Sequence, residues 1–205
     1  MKKLLFCLVV FATGCEDQSA KNESNQLTFI SNEGNFGSSN GSVSVFRSGK
    51  LIQEVKNIGD VVQSILVHNE KLFVLVNNSH MIKVYQINDD GLELPGISIS
   101  TEGSSPREMV VENNKLYFTN YNSQDVKVLN LSTYYIENSI PLNGLPESIV
   151  SDDTNLWVAI NMNADYSSAS SVVKIEIESG KVIKTFEVGK GPQQLLVDGN
   201  NLWVS

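Results

Sequence analysis

The sequence predicts an all-β fold built from a unit that occurs four times along the chain. In each unit a short apolar run precedes a tight polar turn. The chain then continues with leucine, in most copies an aromatic residue, and valine. The marker leucines are spaced 44, 40 and 46 residues apart, at Leu72, Leu116, Leu156 and Leu202. A β-repeat of this period is typical of a β-propeller, in which each repeat forms one blade of about four antiparallel strands.

The copy between residues 103 and 141 shows how one blade is predicted to be built. Residues 109–111 are a short apolar run, as expected of an innermost strand that is buried on both faces. An Asn-rich turn leads to a second strand at 116–119, and the outer strands are predicted at 126–131 and 135–140. We label these strands A to D from the channel outward. Because the chain has no convincing apolar period of about 3.6 residues, we expect almost no helix.

Glycine and proline precede the innermost strands, at residues 103–106, 144–146 and 189–192, with a less regular copy at 59–62. A proline at the first position of a strand removes no hydrogen-bond donor that the sheet needs. This order of Gly-x-Pro, apolar run, turn and Leu-aromatic-Val resembles the YVTN-type β-propeller repeat. Residues 29–37 resemble the first blade of secreted propeller lipoproteins of the Bacteroides and Flavobacterium group. The resemblance covers roughly residues 27–205 and identifies the fold better than the function.

The phase of the repeat predicts an incomplete ring. Residues 27–31 align with strand B, so the first blade has no strand A of its own, and residues 202–205 are again a strand B. Open ring ends expose unpaired backbone groups, and the resembled family usually has about seven blades. We therefore expect about four blades here, as the N-terminal part of a seven-bladed ring. A small open propeller, or one completed by a dimer partner, is the alternative.

The N-terminus reads as a targeting segment followed by an anchor. Lys2 and Lys3 precede the apolar stretch 4–11, which is too short to span a bilayer, and small residues lead to Cys15. This arrangement resembles a bacterial lipobox, although Ala12 stands where leucine is usual. The resemblance implies three segments: a lipoprotein signal peptide, a lipidated Cys15 with a flexible tether, and the propeller domain, at residues 1–14, 15–26 and 27–205. An ordinary signal peptide with a coincidental cysteine is the alternative.

Charge and cysteine content narrow the choice of partners. Removal of residues 1–14 takes away two lysines and no acid, which changes the formal charge from −8 to −10. An acidic surface repels phosphate backbones, so we expect no nucleic-acid partner. Cys15 would be the one remaining cysteine, so no disulfide can form within the mature chain. Glu16 and Asp17 resemble the surface-export signals of the same bacterial group, although such acids can also mean inner-membrane retention elsewhere. We expect a lipid-anchored envelope protein of the outer membrane, exposed at the cell surface.

The strand order also predicts where a ligand would bind. Because strands A and C run one way and B and D the other, the D-to-A and B-to-C loops share one face. The residues that follow the Gly/Pro segments and those of the B-to-C loops would ring the channel mouth there: Arg107, Glu147, Gln193, Gln63, Tyr121, Phe36, Asn161 and Tyr166. Such donors beside flat apolar groups suit a polar ligand of some size or a protein partner. In the alternative interpretation, these polar residues only cap strand starts. We expect Arg107→Ala to weaken ligand binding with little change in thermal stability.

Catalysis has little support in the sequence. The two histidines fall in a turn and a loop, at His68 and His80. The chain has no Gly-x-Ser-x-Gly elbow, no His or Cys pair at metal-binding spacing, and no phosphate-binding glycine loop. We therefore predict no catalytic residue, no metal site and no cofactor. A lactonase-like or quinoprotein-like propeller enzyme, with its catalytic residues in blades beyond residue 205, is the alternative.

The resemblance makes the expected function more specific. Some of the lipoproteins that this chain resembles lie over outer-membrane transporters and capture corrinoids such as vitamin B12. The resemblance therefore implies a substrate-capture accessory, with a TonB-dependent transporter as its envelope partner. A scaffold that contacts proteins or glycans is left open.

Replacement of Cys15 by alanine (C15A) should release the protein from the membrane fraction, because its acyl chains would have no attachment point. Cys7→Ala changes a residue inside the predicted signal peptide and should leave anchoring intact. Metabolic labelling with a palmitate analogue, followed by envelope fractionation, measures both. Labelling of C15A would contradict the predicted anchor.

Overall fold

The computed structural model describes residues 26–205. The predicted signal peptide, Cys15 and nearly all of the tether lie outside the described residues. Within residues 26–205 the chain forms eighteen β-strands and no helix, which confirms the predicted all-β class. Accordingly, no helix in this part of the chain could cross a membrane.

The strands form successive antiparallel sheets, each from a consecutive stretch of chain. The first sheet contains β1 (Leu27–Asn32), β2 (Ser42–Arg47) and β3 (Lys50–Val55). The second contains β4 (Val62–His68), β5 (Lys71–Val76), β6 (Met81–Asn88), the short β7 (Gly91–Leu92) and β8 (Ile97–Ser100). The third contains β9 (Pro106–Glu112), β10 (Lys115–Asn120), β11 (Asp125–Asn130) and β12 (Ile136–Pro141). The fourth contains β13 (Leu145–Ser151), β14 (Asn155–Met162), β15 (Ser168–Glu176) and β16 (Lys181–Glu187). The last contains β17 (Leu195–Asp198) and β18 (Asn201–Val204).

Neighbouring sheets pack face to face through apolar side chains. One core cluster joins the second and third sheets around Phe73 and Phe118. Similar clusters join the first sheet to the second, the third to the fourth, and the fourth to β17 and β18. The innermost strands β4, β9, β13 and β17 contact one another in that order. The sheets are therefore blades arranged around a common axis, as predicted.

The hairpin between strands A and B turns where the sequence has Asn-rich pairs. In the second blade Asn69 and Glu70 have φ values of 46° and 58°, and in the third Asn113 and Asn114 have 49° and 61°. Each pair bridges directly opposed strand residues, so these are two-residue turns with left-handed backbone. Asparagine tolerates that conformation better than most residues, which explains why the polar turns punctuate the repeat.

The phase of the first blade agrees with the sequence. β1, β2 and β3 occupy the places of strands B, C and D, and β1 contacts β4 of the next blade. The predicted start of the innermost strand of the third blade was too late, since β9 begins at Pro106 instead of at 109. Pro106 pairs with Asn120 across an irregular register, where a proline removes no needed donor. Arg107 therefore lies inside the sheet rather than in the loop before it.

Phe118→Ala should destabilise the protein by about 3–5 kcal/mol, because the side chain is fully buried between two blades and its loss leaves a cavity. Phe36→Ala is the matched control, since that ring is 80% exposed and its loss should change stability by less than about 0.5 kcal/mol. Urea unfolding curves of both variants measure the difference. Equal midpoints would contradict the packing of blade on blade.

Candidate functional site

The starts of the innermost strands and the B-to-C loops meet on one face of the propeller. Asn77, which directly follows β5, donates from Nδ2 to the carbonyl oxygen of Pro106 at 2.9 Å. The backbone N–H of Tyr121 donates to the carbonyl oxygen of Ser105 at 3.0 Å. These contacts place both kinds of loop at the same end of the channel, which agrees with the face assigned from the sequence. We call this end the channel mouth.

An ion pair joins two blades at the channel mouth. Arg107 in β9 donates from Nη2 to Glu147 Oε1 at 2.6 Å, and from Nε to both carboxylate oxygens at 3.2 Å. Its Nη1 donates to Gln63 Oε1 in β4 at 2.9 Å. The side chains of Arg107 and Glu147 are only 22% and 11% exposed. One guanidinium thus links blades two, three and four through a fork geometry that lysine cannot reproduce.

Tyr121 packs against this ion pair from the B-to-C loop of the third blade. Its ring lies under the guanidinium of Arg107, with 4.5 Å between the guanidinium carbon and the ring centroid. Its hydroxyl donates to Glu147 Oε2 and also lies 3.0 Å from Asn161 Oδ1. Burial, followed by the hydrogen bond to the Glu147 carboxylate, raises the pKa of Tyr121 to about 12. Tyr121 therefore remains a neutral donor at physiological pH.

Glu147 is held in place by the chain around it. Asn161 Nδ2 donates to its Oε2 at 3.3 Å. The hydroxyl of Thr119 donates to its backbone carbonyl oxygen at 2.8 Å. Thr119 is a residue that sequence reasoning missed, because a strand threonine carries no signal of which carbonyl in another blade it will reach. Five of the eight predicted site residues therefore form one network: Gln63, Arg107, Tyr121, Glu147 and Asn161.

The other three predicted residues lie outside this network. Phe36 and Tyr166 stand on B-to-C loops of the first and fourth blades with 80% and 73% of their surface exposed. Gln193 is exposed just before β17, and its backbone N–H donates to the carbonyl oxygen of Ser205 at 2.9 Å. The structure therefore separates a connected polar centre from exposed groups on neighbouring loops.

Glu108 is a second carboxyl beside the network that sequence reasoning also missed. Burial is the largest influence on it and raises its pKa, and the charge of Glu147 acts in the same direction. A hydrogen bond from Ser64 and the charge of Arg107 act against that rise. Its position next to Arg107 in β9 was the available signal, since neighbouring residues at a strand start both lie near the channel.

A buried aspartate fixes the loop that carries Phe36. The backbone N–H of Gly37 donates to both carboxylate oxygens of Asp60, at 3.0 and 2.9 Å, and Asn78 Nδ2 donates to one of them at 2.5 Å. Asp60 belongs to the less regular Gly/Pro segment, at the place that Ser104 occupies in the next blade. Its irregularity in the sequence therefore has a structural cause, because this acid binds a loop of the preceding blade.

The structure changes the expected effect of replacing Arg107 on stability. We expected its replacement by alanine to leave stability nearly unchanged. In the structure that change would leave the mostly buried Glu147 carboxylate without its counter-ion, and a stranded buried charge is strongly destabilising. Milder substitutions are therefore needed to test binding.

The described residues offer hydrogen-bonding groups at the mouth but no cluster that suggests a metal. Between residues 26 and 205, no three His, Cys, Asp or Glu side chains lie close enough to hold an ion together. His80 has a structural contact, since its Nδ1 accepts the backbone N–H of Ser105 at 3.1 Å. The groups that converge at the mouth are hydrogen-bond donors and acceptors.

Comparisons with known proteins agree on the fold. No protein-family model matches the sequence, and no curated protein matches it. A Bacteroides uniformis protein with a provisional 6-phosphogluconolactonase assignment superimposes with a TM-score of 0.71 at 11% identity, over 87% of this chain and 60% of that one. A Bacteroides caccae protein of unknown function superimposes with 0.62 at 16% identity, over 80% and 64%. The WD40 β-propeller domain of Doa1 superimposes with 0.64 at 13% identity, over 80% and 53%.

The chain is thus a β-propeller, by its own blade architecture and by its likeness to solved propellers. It spans less than two thirds of the length of each of these three structures. Identities of this size establish the common fold alone.

Tyr121 should make stability fall at alkaline pH. Its pKa is raised from 10.0 to about 12 in the folded protein, so its contribution is complete below about pH 10 and is lost as the pH rises towards 12. Tyr121→Phe should therefore flatten the fall of the urea midpoint across this range. Part of the fall should remain, because burial also raises the pKa of Tyr85 and Tyr117.

Tyr135→Phe is the matched control for this measurement, since the Tyr135 side chain is 76% exposed on an outer turn. It should reproduce the wild-type pH profile. If Tyr121→Phe reproduces that profile too, the hydroxyl is not buried against Glu147 as described.

Proposed function

We propose that the protein is a non-enzymatic, lipid-anchored β-propeller of the cell envelope that binds a ligand or protein partner at its channel mouth. The observation that carries this proposal is the network of Gln63, Arg107, Tyr121, Glu147 and Asn161. These side chains come from three blades and converge where loops vary most freely in repeated folds.

The exposed aromatic side chains support a binding face rather than a set of strand caps. Phe36 and Tyr166 lie on loops that hydrogen bonds keep ordered. In the first loop the backbone N–H of Gly37 donates to Asp60, and in the second Asn163 donates to Ser167. Tyr166 also has a φ of 65°, which is uncommon for a residue other than glycine. Aromatic groups on ordered loops lose little conformational freedom when a ligand covers them.

The more specific proposal is capture of a substrate for an outer-membrane transporter, with a corrinoid as the first ligand to test. It rests on the resemblance of the repeat and of the lipobox to those of propeller lipoproteins. It is also compatible with the side-chain amides of Gln63 and Gln193 on the mouth face, since amides pair with the amides around a corrinoid ring. The lipid anchor at Cys15 would keep the binding face near a transporter of the TonB-dependent class.

Equilibrium dialysis against cyanocobalamin, with the full-length protein in detergent, tests the ligand. Dialysis is preferred to intrinsic fluorescence because Trp157 donates to Asp152 at the hairpin of the opposite face, far from the mouth network. Binding at micromolar concentrations would support corrinoid capture. Absence of binding at these concentrations would exclude a corrinoid as the ligand and leave other ligands and protein partners to be screened.

Gln63→Ala locates the site without breaking the ion pair. It should weaken cobalamin binding about tenfold, which corresponds to about 1.4 kcal/mol. Gln86→Ala is the matched control, because Gln86 donates to the carbonyl oxygen of Glu70 near the opposite face and should leave affinity unchanged. Equal affinities of the two variants would place the ligand elsewhere.

In parallel, turnover of a panel of lactones with added divalent metal would favour the enzyme alternative.

A further inference from the structure

The positive charge of Arg107 is already compensated within the protein. Glu147 accepts from both its Nε and its Nη2, and Gln63 accepts from its Nη1. A second carboxyl, Glu108, lies next to this pair and interacts with the charges of both Arg107 and Glu147. The network therefore carries no excess positive charge, whether Glu108 is ionised or not.

Some hydrogen-bonding capacity in the network is unused. Each terminal nitrogen of Arg107 makes one hydrogen bond within residues 26–205 and keeps a second N–H. The amide nitrogen of Gln63 makes no hydrogen bond to any residue of this range, because only its Oε1 is engaged. These donors suit carbonyl, hydroxyl or ether oxygens.

An anion at this position would meet a carboxylate as soon as it met the guanidinium. Arg107 and Glu147 are in direct contact at 2.6 Å, so an anionic group cannot approach one without the field of the other. A site that must reject a class of ligand commonly does so with a like charge placed beside the attractive group. The net charge of −8 for the whole chain acts in the same direction.

We infer that Glu147 determines specificity at the channel mouth, by making it a site for oxygen-rich ligands that are neutral overall and by excluding ligands with net negative charge, such as phosphate monoesters. This inference rests on the proposed binding at the mouth and names its ligand class. Arg107 serves there as an oriented hydrogen-bond donor rather than as a counter-ion. The phosphorylated substrate suggested by the name of the Bacteroides uniformis protein would be rejected here.

The test uses the two arginines of the chain, Arg47 and Arg107, whose Nε–H groups give two signals in a nitrogen–proton correlation spectrum. Inorganic phosphate is titrated into the full-length protein in detergent, with ionic strength held constant by chloride. In the wild type the Arg107 signal should show no saturable shift. In Glu147→Gln, which keeps an oxygen acceptor but no charge, phosphate should bind at least about tenfold more tightly.

Glu108→Gln is the matched control, because it removes a neighbouring carboxyl group and leaves the Arg107–Glu147 pair intact. It should gain much less phosphate affinity than Glu147→Gln. The Arg47 signal, from another blade, should stay fixed in every titration. Gln63→Lys is the second variant if Glu147→Gln disturbs the fold. It adds a positive charge without breaking the pair and should also gain phosphate binding.

The outcomes separate this inference from the proposed function. A saturable shift of the Arg107 signal with phosphate in the wild type would overturn the exclusion of anions. The same conclusion would follow if neither Glu147→Gln nor Gln63→Lys gained phosphate affinity. Failure of every neutral ligand and protein partner to move the Arg107 signal would instead count against binding at the mouth. If a neutral ligand shifts the Arg107 signal of the wild type and phosphate does not, both the exclusion of anions and binding at the mouth are supported.

Discussion

Face-to-face packing of successive twisted sheets is the constraint on which the rest of this structure depends. Each blade buries apolar side chains on both faces, so no blade can satisfy its core alone and each must pack against its neighbours. Phe73 and Phe118 lie in one such interface with almost no exposed surface. Because β-sheets twist in one direction, repeated packing of this kind turns the chain around an axis and brings the innermost strands together.

The site is a consequence of that arrangement. Arg107 binds residues 40 and 44 positions away in the sequence, separations that match the repeat. Equivalent positions in consecutive blades therefore become neighbours at the mouth, even though nothing local in the chain connects them. Variation of one residue per repeat is enough to build a composite polar surface. The packed blades form the rigid framework, and the polar side chains at the starts of their innermost strands form the surface at the mouth.

Most buried polar side chains among residues 26–205 have hydrogen-bond partners, the exceptions being Arg47 Nε and Thr101 Oγ1. Asp60 accepts from Gly37 and Asn78, and Asp125 accepts from the hydroxyls of Ser123 and Ser139 at 2.6 Å. The ion pair at the mouth is likewise hydrogen-bonded, since Tyr121 and Asn161 both donate to the Glu147 carboxylate. Such networks restrict the side chains to one geometry, which is a requirement for selective binding.

The sequence by itself determined the blade repeat, the phase of the first blade and the face on which the loops gather. These follow from apolar periodicity and turn residues, which act locally and repeat along the chain. It also nominated five residues that the structure joins, three by their recurring place after a Gly/Pro segment (Gln63, Arg107 and Glu147) and two by their assignment to B-to-C loops (Tyr121 and Asn161). The tertiary structure alone decided that Arg107 pairs with Glu147, that Thr119 and Asp60 brace neighbouring blades, and that Glu108 lies beside the pair. Those contacts depend on the distance between blades and on side-chain direction, which no local pattern encodes.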